Sequence, residues 1–139
     1  MKVLLDTAPL VALLSEQDQY HAWAIAQVNA VKPPLLTCEA VLSEAHFLLR
    51  RYSGSPKPLT DLVFSGLVQL AFHLDEEMEA VALLMKHYAN VPMSLADACL
   101  VRMSELYSDS VVLTTDSDFN IYRRHRRQVI PTLMPPSDQ

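Results

Sequence analysis

Residues 111–120 read VVLTTDSDFN, and this stretch predicts both the fold class and the place of a functional site. Its first residues are aliphatic, which is typical of a strand buried on both faces of a parallel sheet. Two acids, Asp116 and Asp118, follow where that strand should end. Aspartate is a common turn former. Whether these carboxylates only form a turn or also bind a cation depends on which other residues of the chain lie near them.

The N-terminus has the same pattern, because the aliphatic run at residues 2–5 is followed directly by Asp6. Between the two runs, helical patterns alternate with short strand patterns. This alternation favours an α/β fold with a mainly parallel sheet and helices on both faces. In such folds ligands bind beyond the carboxyl ends of the strands, where the strand order reverses. Asp6 and Asp116 are therefore the first acids to consider.

Length and composition limit the possible functions. A chain of 139 residues fits one domain, which we place at residues 1–134, with a short polar tail at residues 135–139. The formal net charge of −5 argues against nucleic-acid binding by bulk charge, but a site with bound cations reverses the sign locally. Asp6 interrupts the N-terminal apolar run and no cleavage site follows, so we expect a cytoplasmic protein.

Glu44 lies in a predicted helix at residues 39–51, three residues after Val41 and four before Leu48. This spacing places its carboxylate on the apolar face of the helix. A buried carboxylate is costly unless it is paired or bound to a cation. The alternative is a boundary residue that reaches solvent or pairs with a nearby arginine.

Asp97 has similar surroundings in a predicted helix at residues 94–107, where Leu100 and Val101 are its apolar neighbours one turn later. The alternative is stronger for this residue, because Ser94 three positions earlier makes the pattern close to a capping box. Asp97 would then satisfy an amide at the start of the helix and have no other role.

Four acids therefore occupy strand ends or apolar helix faces: Asp6, Glu44, Asp97 and Asp116. Carboxylates gathered at one edge of a sheet repel one another, and hard divalent cations relieve that repulsion. Mg²⁺ or Mn²⁺ prefers carboxylates and water, and it keeps open positions for phosphate oxygens. The sequence therefore predicts a metal site that hydrolyses phosphodiester bonds, which is compatible with an acidic protein.

The chain resembles the PIN-domain ribonucleases in the order and spacing of four segments. These are LLDTAPLVALL at 4–14, LLTCEAVLSEAHFLL at 35–49, MSLADACLVRMSE at 93–105 and VVLTTDSDF at 111–119. In particular, it is similar to the compact PIN proteins that are the toxins of VapBC-type toxin–antitoxin pairs. The resemblance covers nearly the whole chain, although the fourth segment is more compact than in many of these toxins.

The resemblance implies a three-layer α/β/α domain that hydrolyses RNA with a water nucleophile and leaves 5′-phosphate and 3′-hydroxyl ends. The metal-binding and catalytic carboxylates would be those of Asp6, Glu44, Asp97 and Asp116. Asp118 would be a fifth metal ligand, acting through water. Thr114 would orient a metal-bound water or a carboxylate. The resemblance also implies a homodimer and inhibition by a cognate antitoxin.

A basic run, RRHRR at residues 123–127, follows the fourth segment. Its arginines suit binding of the RNA backbone beside the acidic site: Arg123, Arg124, Arg126 and Arg127. We predict a short helix at residues 119–125. The alternative function of the run is therefore a solvated helix end, where cations interact favourably with the helix dipole.

Two other functions remain open. The first is a catalytically inactive PIN-like module that binds RNA or a protein. The second is a phosphotransfer domain with Asp6 as nucleophile. The second is weaker, because a dehalogenase-like site would place another aspartate at position 8, where this chain has alanine.

Overall fold

The computed structural model describes residues 1–52 and 57–136. The strands are β1 Lys2–Leu5, β2 Leu35–Thr37, β3 Val68–Leu70, β4 Ser110–Leu113, β5 Arg123–Arg124, β6 Gln128–Val129 and β7 Thr132–Leu133. The helices are α1 Thr7–Leu14, α2 His21–Ala30, α3 Glu39–Tyr52, α4 Lys57–Ser65, α5 Leu74–His87 and α6 Leu95–Leu106, with a 3-10 helix at Ser117–Asn120.

Five strands form one sheet in the order β3-β2-β1-β4-β7, and all neighbours are parallel. Because crossovers between parallel strands are right-handed, α1 to α4 belong on one face and α5 and α6 on the other. The packing of α1 against α2 and α3, and of α5 against α6, agrees with this arrangement. The predicted three-layer α/β/α class is therefore confirmed. The strand order reverses between β1 and β4, which are paired with Leu5 opposite Leu113. Ligand sites of open α/β sheets form at this position.

The core explains why such short strands are stable. Leu4, Leu5, Val112 and Leu113 of the two central strands are almost fully buried between the helical layers. The hydroxyl of Thr37, at the end of β2, donates to the Leu5 carbonyl at 2.7 Å, so a polar group beside the core is satisfied. The two cysteines, Cys38 and Cys99, are buried and free.

The helix predicted at residues 119–125 is wrong. The 3-10 helix ends at Asn120, and β5 then pairs with β6 in an antiparallel hairpin, with Arg123 opposite Val129 and Arg124 opposite Gln128. At the tip, His125 and Arg126 have positive φ angles of 50° and 70°, a conformation that cannot continue a helix. The sequence pattern also predicts a strand at residues 129–133, and the structure divides these residues between β6 and β7.

The sequence also predicts a loop at residues 52–58. This loop and the predicted C-terminal tail at 135–139 lie partly outside the described residues. Within the ranges that the structure describes, every helix is too short or too polar to cross a lipid bilayer.

Candidate active site

Asp6 follows β1 directly and is 5% exposed. Its Oδ1 accepts a hydrogen bond from the Thr7 backbone N–H at 2.7 Å, which caps α1. Its Oδ2 accepts from the Thr114 hydroxyl at 2.7 Å. Burial raises the pKa of Asp6 to about 6, although these two hydrogen bonds lower it. Asp6 is therefore a buried carboxyl group whose ionised form lacks much of the hydration that it would have in water.

Asp116 is held beside Asp6 through one shared side chain. The Thr114 hydroxyl that donates to Asp6 also accepts from the Asp116 backbone N–H at 2.9 Å. Asp116 Oδ1 in turn accepts from the Asp118 N–H at 2.9 Å and caps the 3-10 helix. The turn-forming role considered for Asp116 is thus correct. Its charge also contributes to the raised pKa of Asp6, so the two carboxylates lie near each other.

Asp97 belongs to the first turn of α6. The Ser94 hydroxyl accepts from the Asp97 N–H at 3.0 Å, so the predicted helix cap is present. The Asp97 carboxylate accepts from the Tyr122 hydroxyl at 2.9 Å. Burial raises the pKa of Asp97, the Tyr122 hydrogen bond lowers it, and the charge of Asp116 raises it. Asp97 therefore belongs both to the helix start and to the acidic site.

Glu44 is exposed, so the expectation that its carboxylate is buried on the apolar face of its helix is wrong. Its Oε2 nevertheless accepts from the Thr7 hydroxyl at 3.0 Å. Thr7 thus uses its backbone N–H for Asp6 and its side chain for Glu44. This contact brings an exposed, adaptable side chain to the edge of the site.

The four arginines of residues 123–127 have different surroundings. Arg124 Nη1 donates to the carbonyls of Ser104 and Ser108, at the C-terminal end of α6. Arg123 Nη1 donates to three carbonyls of the preceding turn, at 2.7–3.2 Å. Arg126 and Arg127 are exposed. Two arginines therefore hold the hairpin, and two extend into solvent.

The donor chemistry of the four acids fits Mg²⁺ or Mn²⁺, because every group is a hard carboxylate oxygen. Within residues 1–52 and 57–136, none of the four forms an ion pair with a basic side chain. The same ranges contain no group of three or more His, Cys, Asp or Glu side chains arranged to hold a metal ion. Of the four acids, Glu44 is the exposed one, so its side chain can adjust most easily to a bound cation.

Two residues of the site were not predicted from the sequence. Thr7 links Asp6 to Glu44, and Tyr122 binds Asp97 while its ring packs against Phe119 with centroids 5.3 Å apart. Thr7 had a sequence signal, because it directly follows an acid at a strand end. No comparable signal marks Tyr122, since its partner lies 25 residues away.

The fold and the acidic edge define a class of protein. Residues 3–124 match the PIN domain, and the chain belongs to the PIN domain family, a family of nucleases. Among solved structures the chain is similar to VapC20 of Mycobacterium tuberculosis, described as a sarcin–ricin loop cleaving toxin. The two are 25% identical with a TM-score of 0.74, over 94% of this chain and 100% of VapC20. A comparison with curated proteins gave no match.

Proposed function

We propose that this protein is a metal-dependent endoribonuclease that hydrolyses RNA phosphodiester bonds. The main support is the meeting of Asp6, Asp97 and Asp116 where the strand order reverses. They lie close enough for the charges of Asp97 and Asp116 to raise the pKa of Asp6. Membership of a family of nucleases agrees with this arrangement.

In this proposal Asp6, Glu44, Asp97 and Asp116 hold Mg²⁺ or Mn²⁺, and Asp118 acts through water. Bound there, a divalent ion would supply polarisation of the phosphodiester and activation of a water molecule. Thr114 is the organising residue, because one hydroxyl fixes a carboxylate oxygen of Asp6 and the backbone of Asp116. We assign to Thr114 the orientation of Asp6 and of the attacking water.

We also propose that the protein is the toxin component of a type II toxin–antitoxin system. The likeness to VapC20 supports this role, which implies an RNA substrate, a cognate antitoxin and action in the cytoplasm. A homodimer belongs to the same proposal. Arg126 and Arg127 are exposed and suited to the RNA backbone, whereas Arg123 and Arg124 contribute mainly by holding the hairpin.

The decisive experiment is a titration of wild-type protein and the Asp97→Asn variant with Mn²⁺, followed by thermal unfolding and by cleavage of a mixed RNA pool. We expect Mn²⁺ to raise the unfolding midpoint and to support cleavage only in wild type. Asp97→Asn keeps the backbone N–H that Ser94 binds, so its fold should persist. Asp75→Asn, at an exposed position in the first turn of α5, is the matched control and should behave like wild type.

The alternative is a catalytically inactive PIN-like module that binds RNA or a protein, and the same titration distinguishes it from a nuclease. If neither the unfolding midpoint nor cleavage responds to Mg²⁺ or Mn²⁺ in wild type, the nuclease proposal is wrong. The protein is then a PIN-like binding module, and Asp97 is a helix-capping residue.

A further inference from the structure

A cavity of about 760 Å³ lies between the C-terminal half of α5, the end of α6 and the β5–β6 hairpin. This volume is within the range of small-molecule sites. The residues that matter for its chemistry are Leu83, Leu84, Lys86, Tyr88, Arg123 and Arg126. All six lie outside the four segments that contain the acids of the site. Lys86 and Leu83 have no role in the proposed metal site.

The cavity is positively charged, although the whole protein has a net charge of −5. Lys86, Arg123 and Arg126 contribute the positive charge, and Glu105 is the acid among the lining residues. Both oxygens of Glu105 are engaged: Oε1 accepts from Arg102 at 3.1 Å and Oε2 accepts from the His125 N–H at 2.7 Å. The ligand that this charge distribution favours is an anion.

One wall of the cavity is apolar. Leu83 is 60% exposed, so its side chain presents apolar surface to the cavity. Leu84 and Tyr88 continue this wall. An anion that also has a flat apolar part would satisfy both the cations and this wall, and an unpaired nucleotide is such a ligand.

The cavity is connected to the acidic site through two aromatic residues. The Tyr88 hydroxyl accepts from the Arg123 N–H at 2.9 Å, and its ring lies 5.1 Å from that of Tyr122. Tyr122 in turn donates to Asp97 at 2.9 Å. The cavity wall and Asp97 are therefore separated by one aromatic pair, so an RNA chain bound in the cavity would lie close to the acids.

Arg126 lines the cavity from the tip of the β5–β6 hairpin, where its φ angle is 70°. Tight hairpin turns use positive φ angles, which are unfavourable for residues with a Cβ atom.

We propose that this cavity binds one nucleotide of a single-stranded RNA substrate next to the site of cleavage. Its phosphate contacts Lys86 and Arg126, and its base lies against Leu83 and Tyr88. The proposal rests on the proposed function for the identity of the RNA as substrate. It adds a subsite for an unpaired nucleotide.

The first test is fluorescence anisotropy of a labelled single-stranded oligoribonucleotide in EDTA, which measures binding without cleavage. We expect the Lys86→Ala/Arg126→Ala variant to bind at least ~10-fold more weakly than wild type, with a salt dependence reduced by about 0.7 per lost phosphate contact. The control is Lys2→Ala/Lys32→Ala, which also removes two exposed cations. Lys2 begins β1 and Lys32 precedes β2, and neither of them lines the cavity.

The second test concerns the base. Leu83→Ser should weaken binding of the normal oligoribonucleotide but not of an abasic ribose–phosphate oligomer. Met78→Ser, an exposed position on the same helix, should change neither. Equal affinities for the two oligomers in wild type would overturn the base contact and with it the proposal.

A third variant separates binding from folding. Arg126→Gly removes the charge and also relieves the left-handed strain, so we expect unchanged or higher thermal stability with weakened RNA binding. The proposal is overturned if wild type does not bind RNA, or if the cavity variants bind like the Lys2/Lys32 control. Binding that depends on the cavity, without any metal-dependent cleavage, would support the subsite and refute the nuclease. Metal-dependent cleavage that the cavity variants leave unchanged would support the nuclease and refute the subsite.

Discussion

The side chains that hold the acids of this PIN domain are neutral hydroxyl groups. Thr114 donates to Asp6, Thr7 to Glu44 and Tyr122 to Asp97. A lysine or arginine in these positions would orient the carboxylates equally well but would cancel their charge. Hydroxyl donors fix the orientation and leave the negative charge for a cation, which is what a metal-dependent site requires.

Tyr122 offers a test of this arrangement. Tyr122→Phe keeps the ring in its contacts with Phe119 and Tyr88 but removes the hydrogen bond to Asp97. We expect a loss of about 1 kcal/mol in the free energy of unfolding. Because Asp97 is then no longer oriented, the Mn²⁺ concentration for half-maximal cleavage should rise several-fold, as measured in a metal titration of initial rates.

The matched control is Tyr107→Phe, which removes a hydrogen bond of 3.0 Å to the Ala71 carbonyl at the other end of α6. It should lower stability by a similar amount and leave the metal requirement unchanged. If both variants shift the metal requirement equally, Tyr122 supports the fold in general and does not position Asp97.

The acids were predictable from the sequence and Thr114 followed from the family resemblance, but the hydroxyl donors Thr7 and Tyr122 were not predicted. Asp6 and Asp116 were found because they directly follow aliphatic strands that prefer the interior of a parallel sheet. The hydroxyl donors are 37, 108 and 25 residues from their acceptors. Such pairings depend on the packing of elements distant in the chain, and a local pattern does not contain them. Glu44 shows the same limit, since helical spacing gave it a buried face that the neighbouring elements leave exposed.

At the scale of the elements, the start of α6 connects folding to the site. Ser94→Ala removes the hydroxyl that accepts from the Asp97 N–H, so we expect a loss of about 1 kcal/mol in urea unfolding. Ser94→Asn retains a side-chain oxygen that caps helices well and should restore most of that stability. If Ser94→Ala is as stable as wild type, the cap contributes nothing to stability.

The predicted and observed elements differ most near the C-terminus. Helical spacing over residues 119–125 was misleading because Arg123 and Arg124 pair with β6, and Arg124 also binds the end of α6. Tertiary contacts of this kind override local propensity. The central strands were predicted well because their residues are buried on both faces, which leaves an uninterrupted aliphatic signal.

At the scale of the whole molecule, charge is unevenly distributed. The net charge is −5, and the acids of the site lie where the strand order reverses. Basic side chains line the neighbouring cavity. Within the acidic site itself RNA would be repelled unless cations are bound there, whereas the basic side chains of the cavity attract RNA without a metal ion. Metal binding and RNA binding should therefore reinforce each other.

The buried acids should also make the stability of the whole fold depend on pH. The pKa of Asp6 is raised from 3.8 to about 6 in the folded state, mainly by burial. Between these values the folded protein binds a proton that the unfolded chain does not, so the free energy of unfolding decreases as pH rises through this window. At about 1.4 kcal/mol per pKa unit, Asp6 alone would contribute up to ~3 kcal/mol.

We therefore expect metal-free protein in chelator to become more stable when the pH falls from 7.5 to about 4.5, as measured by urea unfolding. Asp6→Asn should flatten this dependence, because asparagine does not titrate, and Asp75→Asn should not. Saturating Mn²⁺ should weaken the dependence in wild type, since a bound cation stabilises the ionised carboxylates. If the pH profile is the same for wild type and Asp6→Asn, burial does not raise the pKa of Asp6 in the folded protein.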